Sequence, residues 1–203
     1  MNTYARLLSR EEAKAIYKTE VPKHFPRDEI KPWKSISRMW KLNSYFAVGF
    51  YEDTGASPED PPLLGYAFLV SPPDCGACLL DYYAVLPAYR DNGLGSRFLQ
   101  RLKEVAYDRE QYILLETEDI DFSKNEKQRD ERARRDAFYA RNGCVKTDVK
   151  GKVFTVRYAV WRLGGDAPFE QCCEDLRTLY RLMLPGEKNL FVRIQRHIDP
   201  WTS

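Results

Sequence analysis

The chain has 203 residues, 43% hydrophobic and 13% aromatic, with Lys+Arg 32 against Asp+Glu 30 and a net charge of +2. That size suits one domain with an appendage and a real core, and the near balance of charge gives no basic excess that argues for nucleic acid. No apolar run of about 18 residues can cross a membrane, and the start, Met1-Asn2-Thr3-Tyr4, lacks the charged-then-apolar layout of a secretory leader, so the expectation is a soluble cytoplasmic protein.

In chain order, residues 4–8 read as a short strand. Ser9 and Glu12 form a capping box that opens a helix reaching about Val21. Pro22 and Pro26 bracket His24-Phe25 and mark a break, in which His24 reads as an exposed loop histidine. A second helix is predicted over 27–42, with Ile30, Trp33, Ile36, Met39 and Trp40 on one side and Pro32 in its first turns. Residues 45–51 and 63–70 read as antiparallel strands joined by the turn-rich stretch 52–62. Cys75-Gly-Ala-Cys78 is a C-x-x-C without a second pair or histidine cluster to complete a zinc site. Ordinary reduced thiols and a redox pair both remain readings for it. Cys144, Cys172 and Cys173 are scattered.

The chain is organised around residues 79–96, an apolar and aromatic strand closed by Pro87, then Arg90-x-x-Gly93-x-Gly95 and an amphipathic helix. Leu94, Phe98, Leu99, Leu102, Val105 and Ala106 share one face of that helix. Its first N–H groups point back into the turn. Glycines there let a phosphate approach the amides, which makes a main-chain pyrophosphate cradle. A Walker loop needs Gly-Lys-Ser/Thr, whereas Gly95 is followed by Ser96-Arg97. A dinucleotide fingerprint needs three glycines, and here there are two.

Beyond the cradle helix, residues 111–117 read as a strand with Tyr112, Leu114, Glu116 and Glu118 on one face. A charged helix follows over 126–142, with Asp130–Arg134 and Glu131–Arg135 as acidic-before-basic pairs and Gly143 as its C-terminal cap. Residues 144–149 and 153–162 read as a final strand pair around Lys150-Gly151-Lys152. The stretch 164–168 is a boundary. It separates a domain, 1–163, from an extension, 164–203, with a helix over 169–183 and a strand over 189–196. The extension is too short to fold alone and must pack on the domain or on a second subunit, as in a homodimer.

Val85-x-Pro87-x-x-Arg90-x-x-Gly93-x-Gly95 resembles the acyl-CoA signature of the GNAT N-acyltransferase superfamily, on a divergent, bacterial-type branch. The resemblance covers roughly residues 3–163. It implies a mixed α+β fold: a mostly antiparallel sheet flanked by helices on both faces, with two central strands splayed around the pantetheine arm of acetyl-CoA. It also makes Val85, Arg90, Asp91, Asn92, Gly93, Leu94, Gly95 and Ser96 the cofactor-binding residues. The first two helices and their connection would form a wall of the acceptor site. Tyr139, in a Tyr-x-x-x-Gly helix ending, takes the general-acid role, with a packing residue as the alternative. Arg132, Arg135 and Cys144 depart from the superfamily pattern, which puts the cofactor contact normally made at position 132 in doubt. Glu116 and Glu118, with Asp119 and Asp121 beyond, form an acidic rim that can take a proton from an amine or simply be solvated and ion-paired. Asp81 is a further carboxylate candidate, or a partner for a neighbouring tyrosine. The function implied is acetyl transfer from acetyl-CoA to an amine of a small molecule or peptide, by direct attack in a ternary complex. A non-catalytic acyl-CoA sensor and a module for another phosphate ligand are the alternatives.

Overall fold

The computed structural model describes residues 1–55, 61–153 and 155–185, and the backbone of 192–196. The middle of the 52–62 connection and residues 186–191 lie outside them. The chain divides into two compact units, residues 1–74 with 80–105, and residues 75–79 with 106–203.

The first unit holds β1 (Asn2–Leu7), α1 (Arg10–Thr19), α2 (Val21–His24), α3 (Trp33–Lys41), β2 (Tyr45–Asp53), β3 (Leu63–Val70), most of β4 (Ala77–Val85) and nearly all of α4 (Leu94–Tyr107). β1, β2 and β3 pair antiparallel in that order, and β3 neighbours β4. The close approach of β3 to β4 requires Gly65. A Cβ there would lie 2.7 Å from the Ala84 carbonyl oxygen. α4 packs on the face this glycine opens, through Phe98 stacked on Phe50 at 4.7 Å and on Tyr83 at 5.3 Å. Phe98 is wholly buried, and truncating such a ring costs about 3–5 kcal/mol.

α1 opens on the predicted capping box: the Glu12 amide donates to Ser9 Oγ at 3.2 Å and the Ser9 amide to Glu12 Oε2 at 2.8 Å. Arg6 and these bonds hold the Glu12 carboxyl down at about 2. The helix predicted over 27–42 is shorter than the sequence suggests. It begins at Trp33, because Pro32 stands at its N-cap and residues 27–30 instead form turns onto Pro26 and Arg27.

The second unit holds β5 (Tyr112–Glu118), α5 (Glu126–Arg141), β6 (Val145–Val153), β7 (Val156–Leu163), α6 (Phe169–Met183) and β8 (Val192–Arg196). β5 pairs parallel with the first residues of β4, Ala77 to Leu79, and antiparallel with β7. β6 lies between β7 and β8, antiparallel to both. Lys150-Gly151-Lys152 was expected to be the hairpin turn, but it lies inside β6, and the hairpin closes at Val153 opposite Val156. The reason lies across the strand. Lys150 forms a buried ion pair with Asp119 at 2.8 Å, and Gly151 leaves room for Glu116 and Tyr180. The expected pairs Asp130–Arg134 and Glu131–Arg135 are not among the ion pairs of the described residues. α5 is tied instead by Asp136 to Lys146 and Arg132 to Glu118.

Strand alternation sends β5 side chains to two faces. Leu115 and Thr117 share a face with Trp161, which packs on Tyr139 of α5 and donates to Thr117 Oγ1 at 3.0 Å. Tyr112 and Glu116 face α6, in contact with Asp175 and Tyr180. The extension is therefore folded into the second unit by its own helix and strand.

Candidate active site

The cradle belongs to the first unit. After β4 the chain makes a 3₁₀ turn, Pro87–Tyr89, and then takes positive φ at Asp91 (65°) and Gly93 (69°) before α4 begins. Successive turns of this kind aim amides into a concavity that suits anions. The first bond of the α4 ladder runs from the Arg97 amide to the Gly93 carbonyl at 3.2 Å. The amides of Leu94, Gly95 and Ser96 precede it and have no partner in the ladder. They carry the positive end of a 14-residue helix. Three bonds set the loop's shape. Arg90 Nε donates to the Val85 carbonyl at 3.2 Å, Asn92 Nδ2 to the Arg90 carbonyl at 3.2 Å, and the Tyr83 hydroxyl to the Gly95 carbonyl at 2.5 Å. A glycine is required at position 93 by its φ, and a Cβ there meets no atom within 4 Å.

In the same unit, His24 is half-buried, not the exposed loop residue expected. It ends α2, stacks on Tyr66 and makes a hydrogen bond to its hydroxyl at 2.8 Å. Burial and the charge of Arg90 lower its pKa. Asp81 does bond a neighbouring tyrosine: its carboxylate accepts from Tyr45 at 2.6 Å and from Lys31 at 2.5 Å. Tyr82 accepts from the Lys31 amide and donates to the Glu29 carbonyl, both at 2.9 Å, while Tyr17 donates to the Lys31 carbonyl at 2.5 Å. These bonds staple the α2–α3 connection onto β4.

The other candidates belong to the second unit. Tyr139 lies in the last turn of α5, its ring beside Phe138 and Trp161 and its phenol pushed up to about 12, chiefly by burial. Gly143, with φ of 81°, closes the helix as expected. Glu116 and Glu118 share a face of β5 but differ in their partners. Glu118 is ion-paired to Arg132 at 2.9 Å. Glu116 accepts a hydrogen bond from Tyr180. Arg132, at the position that departs from the superfamily pattern, also donates to the Asp119 carbonyl at 2.7 Å and so ties α5 to the end of β5. Asp119 is buried against Lys150, which removes it from any solvated rim. The five cysteines are all free and buried, and burial raises Cys75 to about 11 and Cys78 to about 12. Cys75 contacts the Asp175 carboxylate at 3.5 Å. Such thiols are poor nucleophiles at neutral pH.

Sequence reasoning missed Tyr180, Lys31 and the His24–Tyr66 pair. Tyr180 lies 64 positions from Glu116, and no local pattern marks so distant a partner.

The Acetyltransferase (GNAT) family model matches residues 11–129. No curated protein matches. Among solved structures, a GNAT-family acetyltransferase from Bacteroides thetaiotaomicron is similar at 18% identity, with a TM-score of 0.62 over 88% of this chain and 96% of that one. The ribosomal-protein-S18-alanine N-acetyltransferase of Escherichia coli is similar at 16% identity and TM-score 0.54, over 83% and 99%. The spermidine N-acetyltransferase of Vibrio cholerae, in complex with CoA and spermine, is similar at 11% identity and TM-score 0.54, over 79% and 94%. Likeness at these identities shows the fold, while the family model extends over more than half the chain. This chain belongs to the GNAT acetyltransferase family and is an acyltransferase that uses acetyl-CoA.

Proposed function

We propose that the protein moves an acetyl group from acetyl-CoA to an amine of a small molecule or peptide, by direct attack in a ternary complex. The observation that carries this reading is the opening of α4, where Asp91 and Gly93 turn the chain with positive φ and the amides of Leu94, Gly95 and Ser96 lie ahead of the helical ladder. Such a terminus suits the CoA pyrophosphate, because main-chain donors and the helix dipole both favour an anion. The loop from Val85 to Ser96, including Arg90, Asp91 and Asn92, holds the cofactor's phosphates.

The bound cosubstrate supplies an acetyl group activated as a thioester. An acceptor amine must lose a proton to attack it, and a departing thiolate must gain one. Tyr139 serves the second need, since its phenol, half-buried in the structure, stays protonated far above neutral pH. Glu116 and Glu118 serve the first. Protonating Glu118 would break its ion pair with Arg132, and Glu116 accepts a hydrogen bond from Tyr180.

The named substrates of two similar structures, the alanine of a ribosomal protein and spermidine, support this acceptor class. Thiol release from acetyl-CoA, followed with spermidine, simple primary amines and alanine-started peptides, tests the reading. At least one amine should raise the rate well above hydrolysis in buffer. Tight CoA binding with no turnover on any of them would instead indicate a sensor.

A further inference from the structure

α3 carries charge of one sign only. Lys34, Arg38 and Lys41 stand at i, i+4 and i+7, and no acidic residue occurs between Glu29 and Glu52. With Ser37 they share one helix face, around a recess of about 410 Å³ that Ser35 also borders and no carboxylate lines. Helix stability does not account for this face. Like charges at i,i+4 repel. Cations do suit the last turn, where Arg38 and Lys41 lie, but Lys34 stands in the first turn, against the positive end of the dipole. Lys34 and Lys41 are exposed, and neither has an ion-pair partner among the described residues. A further cation backs the recess. Arg10 of α1 donates to Ser37 Oγ at 2.5 Å, and its Nε is buried without a hydrogen-bond partner among the described residues. The adjacent carboxylates of α1 do not neutralise it: Glu12 is held by Arg6 and the Ser9 amide, and Glu11 forms no ion pair among the described residues. Because Ser37 Oγ accepts from Arg10, its own proton is left to be donated elsewhere.

We propose that this recess is a second anion site, built from residues other than those of the CoA cradle, for a small soluble polyphosphate such as the phosphate chain of a nucleotide. Its size lies at the small end of the range of about 300–1,000 Å³ that small-molecule sites occupy. Ammonium and hydroxyl groups are donors suited to phosphate oxygens, which only accept when ionised. Lys34 and Lys41 are about 10 Å apart along the helix axis, with Ser37 between them. A chain of linked phosphates spans such a row of donors, whereas a single carboxylate meets only part of it. The bound anion also offsets the repulsion that the free helix face carries.

The test takes the full chain with an equimolar amount of CoA, which occupies the cradle, and titrates it with tripolyphosphate or ATP by calorimetry and amide NMR. Neither readout involves acetyl transfer. Wild type should give a saturable heat that weakens with added salt, because exposed charges are screened over about 10 Å at 0.1 M. The amide signals of residues 34–41 should move, while those of residues 93–96 stay where CoA has put them. Lys34→Gln combined with Lys41→Gln should weaken binding about tenfold or more, since it removes two charged donors. Without ligand, that double variant should melt no lower than wild type, because it relieves repulsion and breaks no ion pair. Unchanged affinity in the double variant would overturn the proposal, as would heat that does not saturate or shifts confined to residues 93–96. Sedimentation with vesicles containing phosphatidylinositol phosphate, without heat from tripolyphosphate or ATP, would overturn the soluble ligand and assign the face to a membrane surface.

Discussion

Tyr139 is set up to give a proton rather than to lose one. Burial raises its phenol to about 12, although the nearby Arg135 works in the opposite direction. A leaving thiolate needs such a donor close by, and donors of this kind contribute about 10²–10⁴-fold in rate. Tyr139→Phe should therefore lower kcat by roughly ten- to a thousandfold, the lower end reflecting substitution by water. The ring's packing on Phe138 and Trp161 is kept, so the melting temperature and CoA affinity should barely move. Steady-state thiol release and calorimetry decide it. Full activity would make Tyr139 a packing residue. Tyr139 and Glu116 were both readable in the sequence as chemical types at meaningful spacings. Their surroundings were not. The arginine at 132 reads as a departure from a pattern, but in the structure it is the group that ties Glu118 and the Asp119 carbonyl to α5. His24 reads as solvated because its flanking prolines suggest a loop, yet Tyr66, 42 positions away, holds it.

At the scale of elements, the strongest expectations came from local signals. The capping box of α1, the glycine that closes α5 and the α4 stripe are written within a few residues, and each occurs where those residues lie. Local propensity misplaces the start of α3 and the Lys150-Gly151-Lys152 turn, because tertiary contacts decide both: Tyr17 and Tyr82 grip residues 29 and 31, and Asp119 and Glu116 lie against β6. α6 gives the largest prediction at this scale. Leu176 and Leu179 each contribute about 1.5–3 kcal/mol by burial, a large part of a typical total of about 5–15 kcal/mol. A chain cut back to residues 1–163 should lose more than about 10 °C in melting temperature, since about 1 kcal/mol shifts a protein of this size by about 2–4 °C. Calorimetry of that truncation checks the point. A wild-type transition would mean that the extension is an ornament on a self-sufficient domain.

For the whole molecule, the order of strands and helices is legible because alternating and helical periods follow from which faces are buried, whereas the arrangement of the strands in the sheet comes from the resemblance to the GNAT superfamily. The long-range pairs were beyond reach, since nothing local in β5 or α6 encodes that Glu116 will meet Tyr180. The cradle was legible for the opposite reason: its function lies in the main chain, and glycine spacing records main-chain geometry directly. Acetyl transfer depends on that loop receiving the CoA pyrophosphate, and amide NMR during titration with CoA tests this most directly. The amide signals of Gly93, Leu94, Gly95 and Ser96 should show the largest shifts, downfield as they donate to phosphate, and should saturate with the affinity measured by calorimetry. Saturable CoA binding that leaves these four amides unmoved would contradict it.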